Sequence, residues 1–269
     1  MSDDSSRVDM NDTAPENKTE IGSTFIRDYR RLLGLVLTTF VLFFAANFIA
    51  AALVSVGYSL SGRSPLMIEK TITSSTKAQF YLILLVELFI VLSVMLALRF
   101  AQRSIREFNL KLPSMMQVLR VSLYFGVYFG VTFILTVLLA LFVPQVDIEQ
   151  TQQIGFDGAR GKSLLLVFLA LCVAVPIAEE VLFRGFLYRG AKKYAGIVIA
   201  TIVTTILFGI AHLEFGSGEP LNWIAAIDTA LFSLALIYTY EKERTLLAPI
   251  LLHSIKNSLA FVFLFVVKS

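Results

Sequence analysis

SLLLVFLALCVAVPIAEEVLFRG, residues 163–185, runs uncharged from Ser163 to Ala178, then meets two carboxylates, Glu179 and Glu180, and an arginine, Arg184. Sixteen apolar or small residues followed by adjacent acids read as a membrane helix that carries charge into or near the hydrocarbon layer, where ionised groups are costly and mark functional positions. Glu180 and Arg184 stand four apart, an acid N-terminal to its base on one helical face. Glu179 points about 100° away from that pair. One acid is therefore neutralised within its own helix and its neighbour is left for another task; an ordinary ion pair at a helix end is the plainer alternative.

Outward from this stretch the chain is of one kind. Its 269 residues are 57% hydrophobic and 16% charged, and its mean hydropathy is +0.76. Residues 32–61 and 121–146 also carry no formal charge, so several runs reach the ~20 residues that span a bilayer. The expected fold is all-α, a polytopic transmembrane helix bundle of about seven spans, near 32–60, 78–98, 118–143, 163–193, 195–212, 221–240 and 245–267. Residues 1–26 are polar and aperiodic and are expected to be a disordered cytoplasmic tail. Residues 27–162 hold the N-terminal spans, and 163–268 the membrane core that carries the paired acids.

Arg27, Arg30 and Arg31 precede the first span, and Arg99, Arg103, Arg106, Lys111, Arg184, Arg189, Lys192 and Lys193 fall on alternate connections. By the positive-inside rule that bias places the N-terminus in the cytoplasm, and the plasma membrane is the expected location. The net charge of +3 is small, and no Lys/Arg run is interleaved with aromatic residues, which leaves nucleic-acid binding without support. The single cysteine, Cys172, lies in an apolar segment and forms no intrachain disulfide. Membrane lipid is an expected partner.

The only two histidines, His212 and His253, fall at or near the ends of apolar segments, and Asn257 shares a helical face with His253. If the fourth and fifth helices turn back near Tyr194 and Ala195, Glu179 lies ~23 Å before the turn and His212 ~26 Å after it. The seventh helix starts beside the same turn and places His253 and Asn257 at ~12 and ~18 Å. An acid, two imidazoles and a carboxamide can then meet in one intramembrane cavity. A carboxylate beside a neutral imidazole can deprotonate water, and imidazole and carboxamide N–H groups suit a developing oxyanion. No hydroxyl or thiol is singled out by spacing as a nucleophile, and there is no His-Glu-x-x-His pair. Hydrolysis without a metal is the preferred reading and no cofactor is implied, although glutamate and histidine side chains also suit a divalent metal. Glu87, Asp228 and Lys256 are further charges within spans, read either as inward-facing residues paired with neighbouring helices or as steps of an ion path.

Three motifs sit at these residues: Glu179-Glu180-x-x-x-Arg184, Phe208-x-x-x-His212 and His253-x-x-x-Asn257. In this order within apolar helices they resemble the CPBP family, also called the ABI family, of CAAX prenyl protease type II and bacteriocin-processing proteins. The run Leu247 to Leu252 before the third motif is similar too. The resemblance covers roughly residues 163 to 268 and implies an intramembrane glutamic endopeptidase. It further implies that Glu179 and His212 activate water, that His253 and Asn257 form the oxyanion hole, and that Glu180 with Arg184 supports the site. The chain departs from many relatives at Ser233, Ala235 and 241–245. The alternative attached to the same family is a non-catalytic membrane interaction or immunity scaffold.

Overall fold

A computed structural model describes residues 18–143, 155–156, 158–213 and 221–267, and for residues 18–25 the backbone alone. Among the described residues all regular structure is helical. The polar tail to residue 17, the stretch after Pro144 and the residues that come after Leu213 lie outside this set. The backbone is already helical from Lys18, so part of the segment read as a tail continues the first membrane helix.

Helix α1 is Lys18–Leu60. A short helix, α2, Pro65–Ser74, occupies the connector and is capped by Ser64 with Pro65 opening its first turn, the position at which a missing N–H costs nothing. Helix α3, Thr76–Phe100, starts on Ser75, and α4, Met115–Phe142, on a reciprocal cap between Ser114 and Gln117. The next helical run is continuous from Gly161 to Ile210, 50 residues. It divides at Gly196, whose φ of 78° and ψ of 175° leave the helical region for one that glycine alone enters freely. We label its limbs α5, residues 164–195, and α6, residues 197–210. The ring of Phe208 lies 4.9 Å from that of Phe183, whereas a straight helix would hold them ~37 Å apart. The chain therefore doubles back at Gly196. Helices α7, Trp223–Glu243, and α8, Leu247–Val262, which runs on as a π-turn through Phe263–Val267, complete the bundle.

Among the described residues six helical runs are long and apolar enough to cross a bilayer, and the 50-residue run folds back into two limbs, α5 and α6, consistent with the about seven spans read from the sequence. Sorting of side chains fits a lipid solvent. Phe48, Leu123 and Phe142 stand exposed on α1 and α4, whereas Phe108, Leu182, Phe208, Phe232 and Leu252 are buried in one core cluster. Apolar groups face outward because the surrounding hydrocarbon is as apolar as the core, and the polar residues turn inward.

The polar end segments that were expected to share one side of the membrane meet in space. Arg31 stacks on Tyr194, Arg189 pairs with Glu107 at 3.1 Å, and Lys192 bonds to Glu241 at 2.7 Å. Arg120 makes a two-pronged contact with Glu243 at 2.9 and 2.6 Å. The Thr245 hydroxyl donates to the Lys111 carbonyl at 2.7 Å, and Asn109 donates to the carbonyl of Arg244. The segment 241–245, where the chain departs from many relatives, is thus tied down by α4, α5 and the loop after α3.

Candidate active site

Two irregularities in α5 shape the site. Residues Leu169–Ala174 and Val181–Tyr188 are π-helical, a winding frequent at functional positions because each extra residue rotates the next turn of helix about its axis. Between them Val175–Glu180 carries both acids. Glu180 is fully buried, as is Arg184, and Arg184 Nη1 donates to Glu180 Oε1 at 2.9 Å. The guanidinium also donates from Nη2 to Ser233 Oγ at 2.8 Å and lies 4.4 Å above the Phe208 ring. The i to i+4 pairing read from the sequence is present. Ser233, in the sequence only a departure from the family pattern, is a partner of the motif arginine.

Helix α6 is short. At 1.5 Å per residue, residues 197–210 extend ~21 Å, less than the ~30 Å hydrocarbon layer, and His212 lies just beyond its C-terminus. Carbonyls at a helix end lack helical donors, and His212 Nδ1 lies 2.8 Å from the Phe208 carbonyl. A carbonyl only accepts, so Nδ1 carries the proton and Nε2 is left as an acceptor. That tautomer is set by a backbone contact and had no signal in the sequence.

On α8, His253 is buried. Its Nδ1 lies 2.9 Å from Glu180 Oε1 and its Nε2 3.8 Å from Glu179 Oε2, the second being a charge contact too long for a hydrogen bond. Glu180 therefore holds an arginine and an imidazole together. Glu179, which has no partner within its own helix, faces the other side of that imidazole. Asn257, a turn further on, donates from Nδ2 to the Leu171 carbonyl at 2.7 Å.

Glu179, His212, His253 and Asn257 line one cavity of about 410 Å³ between α5, α6, α7 and α8. Phe208 and Phe232 form part of its apolar wall, and Asp228 and Lys256 part of its polar one. Lys256 Nζ donates to Asp228 Oδ2 at 2.7 Å, and the Tyr128 hydroxyl donates to Asp228 Oδ1 at 2.6 Å. Those two charges are thus inward-facing and paired between helices. Tyr128, on α4, could not be singled out beforehand among the aromatics of its span. Glu87 on α3 has a buried carboxylate oxygen without a hydrogen-bond partner among the described residues. Among the described residues no group of three or more His, Cys, Asp or Glu is arranged to hold a metal ion.

Comparison with known proteins places this geometry. Residues 161–259 match the family described as Type II CAAX prenyl endopeptidase Rce1-like. Over this segment the chain is similar to the CPBP family. All seven residues of the three motifs fall inside the matched segment. Similar curated proteins include the UPF0177 protein YaiF of Lactococcus lactis subsp. lactis, 30% identical over 96 residues, 36% of this chain and 39% of that one. The membrane-embedded CAAX protease MroQ of Staphylococcus aureus is 28% identical over 111 residues, 39% of this chain and 41% of that one. The chain spans about two-fifths of the length of each of these relatives. No solved structure matches.

Proposed function

We propose that this protein is an intramembrane endopeptidase that cleaves a peptide or membrane-associated protein with water activated by Glu179 and His212. The observation that carries the reading is the cavity lined together by a carboxylate, two imidazoles and a carboxamide inside an apolar bundle, with the second carboxylate already bound by Arg184.

The charges suggest how the site works. Glu179, Glu180 and Arg184 leave one negative charge, and a neutral total in a poorly solvated site requires one further proton. It resides on Glu179 or on His253, whose Nε2 lies 3.8 Å away. His253 Nδ1–H is directed at Glu180, so an Nε2–H donor to substrate means the imidazolium form, with Glu179 then ionised. A water between Glu179 and His212 Nε2 attacks the scissile carbonyl carbon as its proton passes to the carboxylate. The oxyanion is met by N–H groups of His253 and Asn257. Glu179 returns the proton to the amide nitrogen as the carbon–nitrogen bond breaks, giving a free carboxyl and a free amine.

The test is Glu179→Gln, which keeps shape and loses the base. Membranes bearing wild type or the variant are compared by proteomics for a shortened peptide, and the purified proteins are then assayed on it. Cleavage should fall by ~10²- to 10⁴-fold with the melting midpoint held, and wild-type cleavage should survive dialysis against a chelator. A folded Glu179→Gln that cleaves at the wild-type rate refutes the mechanism. A variant that retains the cellular function without any cleavage supports the scaffold reading instead.

A further inference from the structure

The peptide N–H of Val175 donates to the carbonyl of Ala170, five residues back. The next donor in that π register belongs to residue 176 and the next acceptor is the carbonyl of Leu171. Residue 176 is proline, which has no N–H. Leu171 is therefore left with a carbonyl that its own helix does not serve, in a membrane interior where an unmet backbone group costs several kcal/mol. Asn257 Nδ2, from α8, donates to that oxygen at 2.7 Å. A carbonyl acceptor fixes which end of the carboxamide faces it, so this donor is the amide nitrogen.

We propose that Asn257 is a positioning residue matched to Pro176: its carboxamide replaces the peptide N–H that the proline lacks, and thereby fixes α5 against α8 about two turns before the two acids. The geometry of the helices makes this specific. Pro176 lies three residues before Glu179, and the π-turn it terminates sets the rotation at which Glu179 and Glu180 leave the helix axis. Asn257 lies one turn from His253, whose Nδ1 must meet Glu180 at 2.9 Å. The Leu171–Asn257 bond and the Glu180–His253 bond are thus two successive rungs between the same two helices. Loosening the first lets the second drift. The second N–H of the carboxamide remains for the cavity that Asn257 lines, so positioning and donation to substrate use different hydrogens. The consequence for peptide cleavage rests on the endopeptidase reading; the pairing itself does not.

The experiment is a double-mutant cycle on the full chain in detergent, with Asn257→Ala, Pro176→Ala and both together. Asn257→Ala should lower the melting midpoint by roughly 3–8 °C. With alanine at 176 an N–H is restored to Leu171, and the same Asn257→Ala change should cost less than half as much. The second readout uses the fact that the chain has two histidines, so ¹⁵N-histidine labelling gives a two-residue spectrum, assigned with His212→Gln. The downfield Nδ1–H signal of His253 bonded to Glu180 should be lost or broadened in Asn257→Ala and recovered in the double variant. If Asn257→Ala alone yields no folded protein, folding of the double variant supports the pairing and its failure to fold counts against it. Equal midpoint losses with either residue at 176, together with an unchanged His253 signal, overturn the proposal. Neither readout uses a substrate, so failure of the endopeptidase reading leaves the test standing.

Discussion

Arg184 is where the energetics of single residues are sharpest. It is fully buried with Glu180, and two charges taken out of water are repaid only by close pairing and by hydrogen bonds to what remains. Arg184 finds these in Glu180, Ser233 and the Phe208 face. Removing it alone leaves a carboxylate facing an imidazole and an aromatic wall. Arg184→Ala should therefore lower stability by about 3–5 kcal/mol, seen as reduced yield and melting midpoint as well as lost cleavage. Glu180→Gln combined with Arg184→Met should recover most of the stability and none of the activity, because the orphaned charge goes while the partner of His253 Nδ1 is altered. A stable but inactive Arg184→Ala would instead place the guanidinium in contact with substrate. The spacing of Glu180 and Arg184 announced their pairing because it is local. Ser233 and Tyr128 complete their networks from 49 and 100 residues away, and no local periodicity carries that information.

At the scale of elements the site depends on helices that break pattern. Alternating apolar runs located the membrane passes, since hydropathy reports what faces lipid. The reversal was placed near Tyr194 and Ala195, and Gly196 is the residue that makes it. The π-turns of α5 leave no compositional mark beyond Pro176, and α2 was passed over within a polar connector although Ser64 and Pro65 form an ordinary helix start. Close approach of α6 and α7 sets where Phe208 and His212 stand. A Cβ on Gly209 would lie 2.8 Å from the Ala226 carbonyl oxygen and 3.2 Å from the Ala230 methyl. The first of these is backbone and cannot swing aside, so the helices must separate. Gly209→Ala should cost about 1–3 kcal/mol and reduce cleavage further than that loss implies, because α6 carries the His212 imidazole outward. Thermal melts with cleavage assays on the folded fraction check this; an active, fully stable variant would show that the helices have slack.

For the whole molecule, the positive-inside reading and the folded arrangement rest on the same residues. The polar segments early in α1, between α3 and α4, at the end of α5 and at the end of α7 assemble at one end, joined by Arg31–Tyr194, Arg189–Glu107, Lys192–Glu241 and Arg120–Glu243. Within this rim a hydrogen bond from Arg103 holds the Glu107 carboxyl below the usual carboxylate range. The connection of α1 to α3, with Ser61 exposed, lies at the other end of both helices. Basic residues resist transfer across a membrane and remain on the cytoplasmic side, so the rim should face the cytoplasm and the Ser61 connection the outside. In a Cys172→Ala background, single cysteines at Ser61 and Ser104 separate the two sides. An impermeant maleimide added to intact cells should label Ser61→Cys at once and Ser104→Cys only after the membrane is opened. The reverse order would invert the bundle. Labelling of both in intact cells would mean that α3 does not cross, which would remove Glu87 from the interior and break the seven-pass arrangement at its second helix.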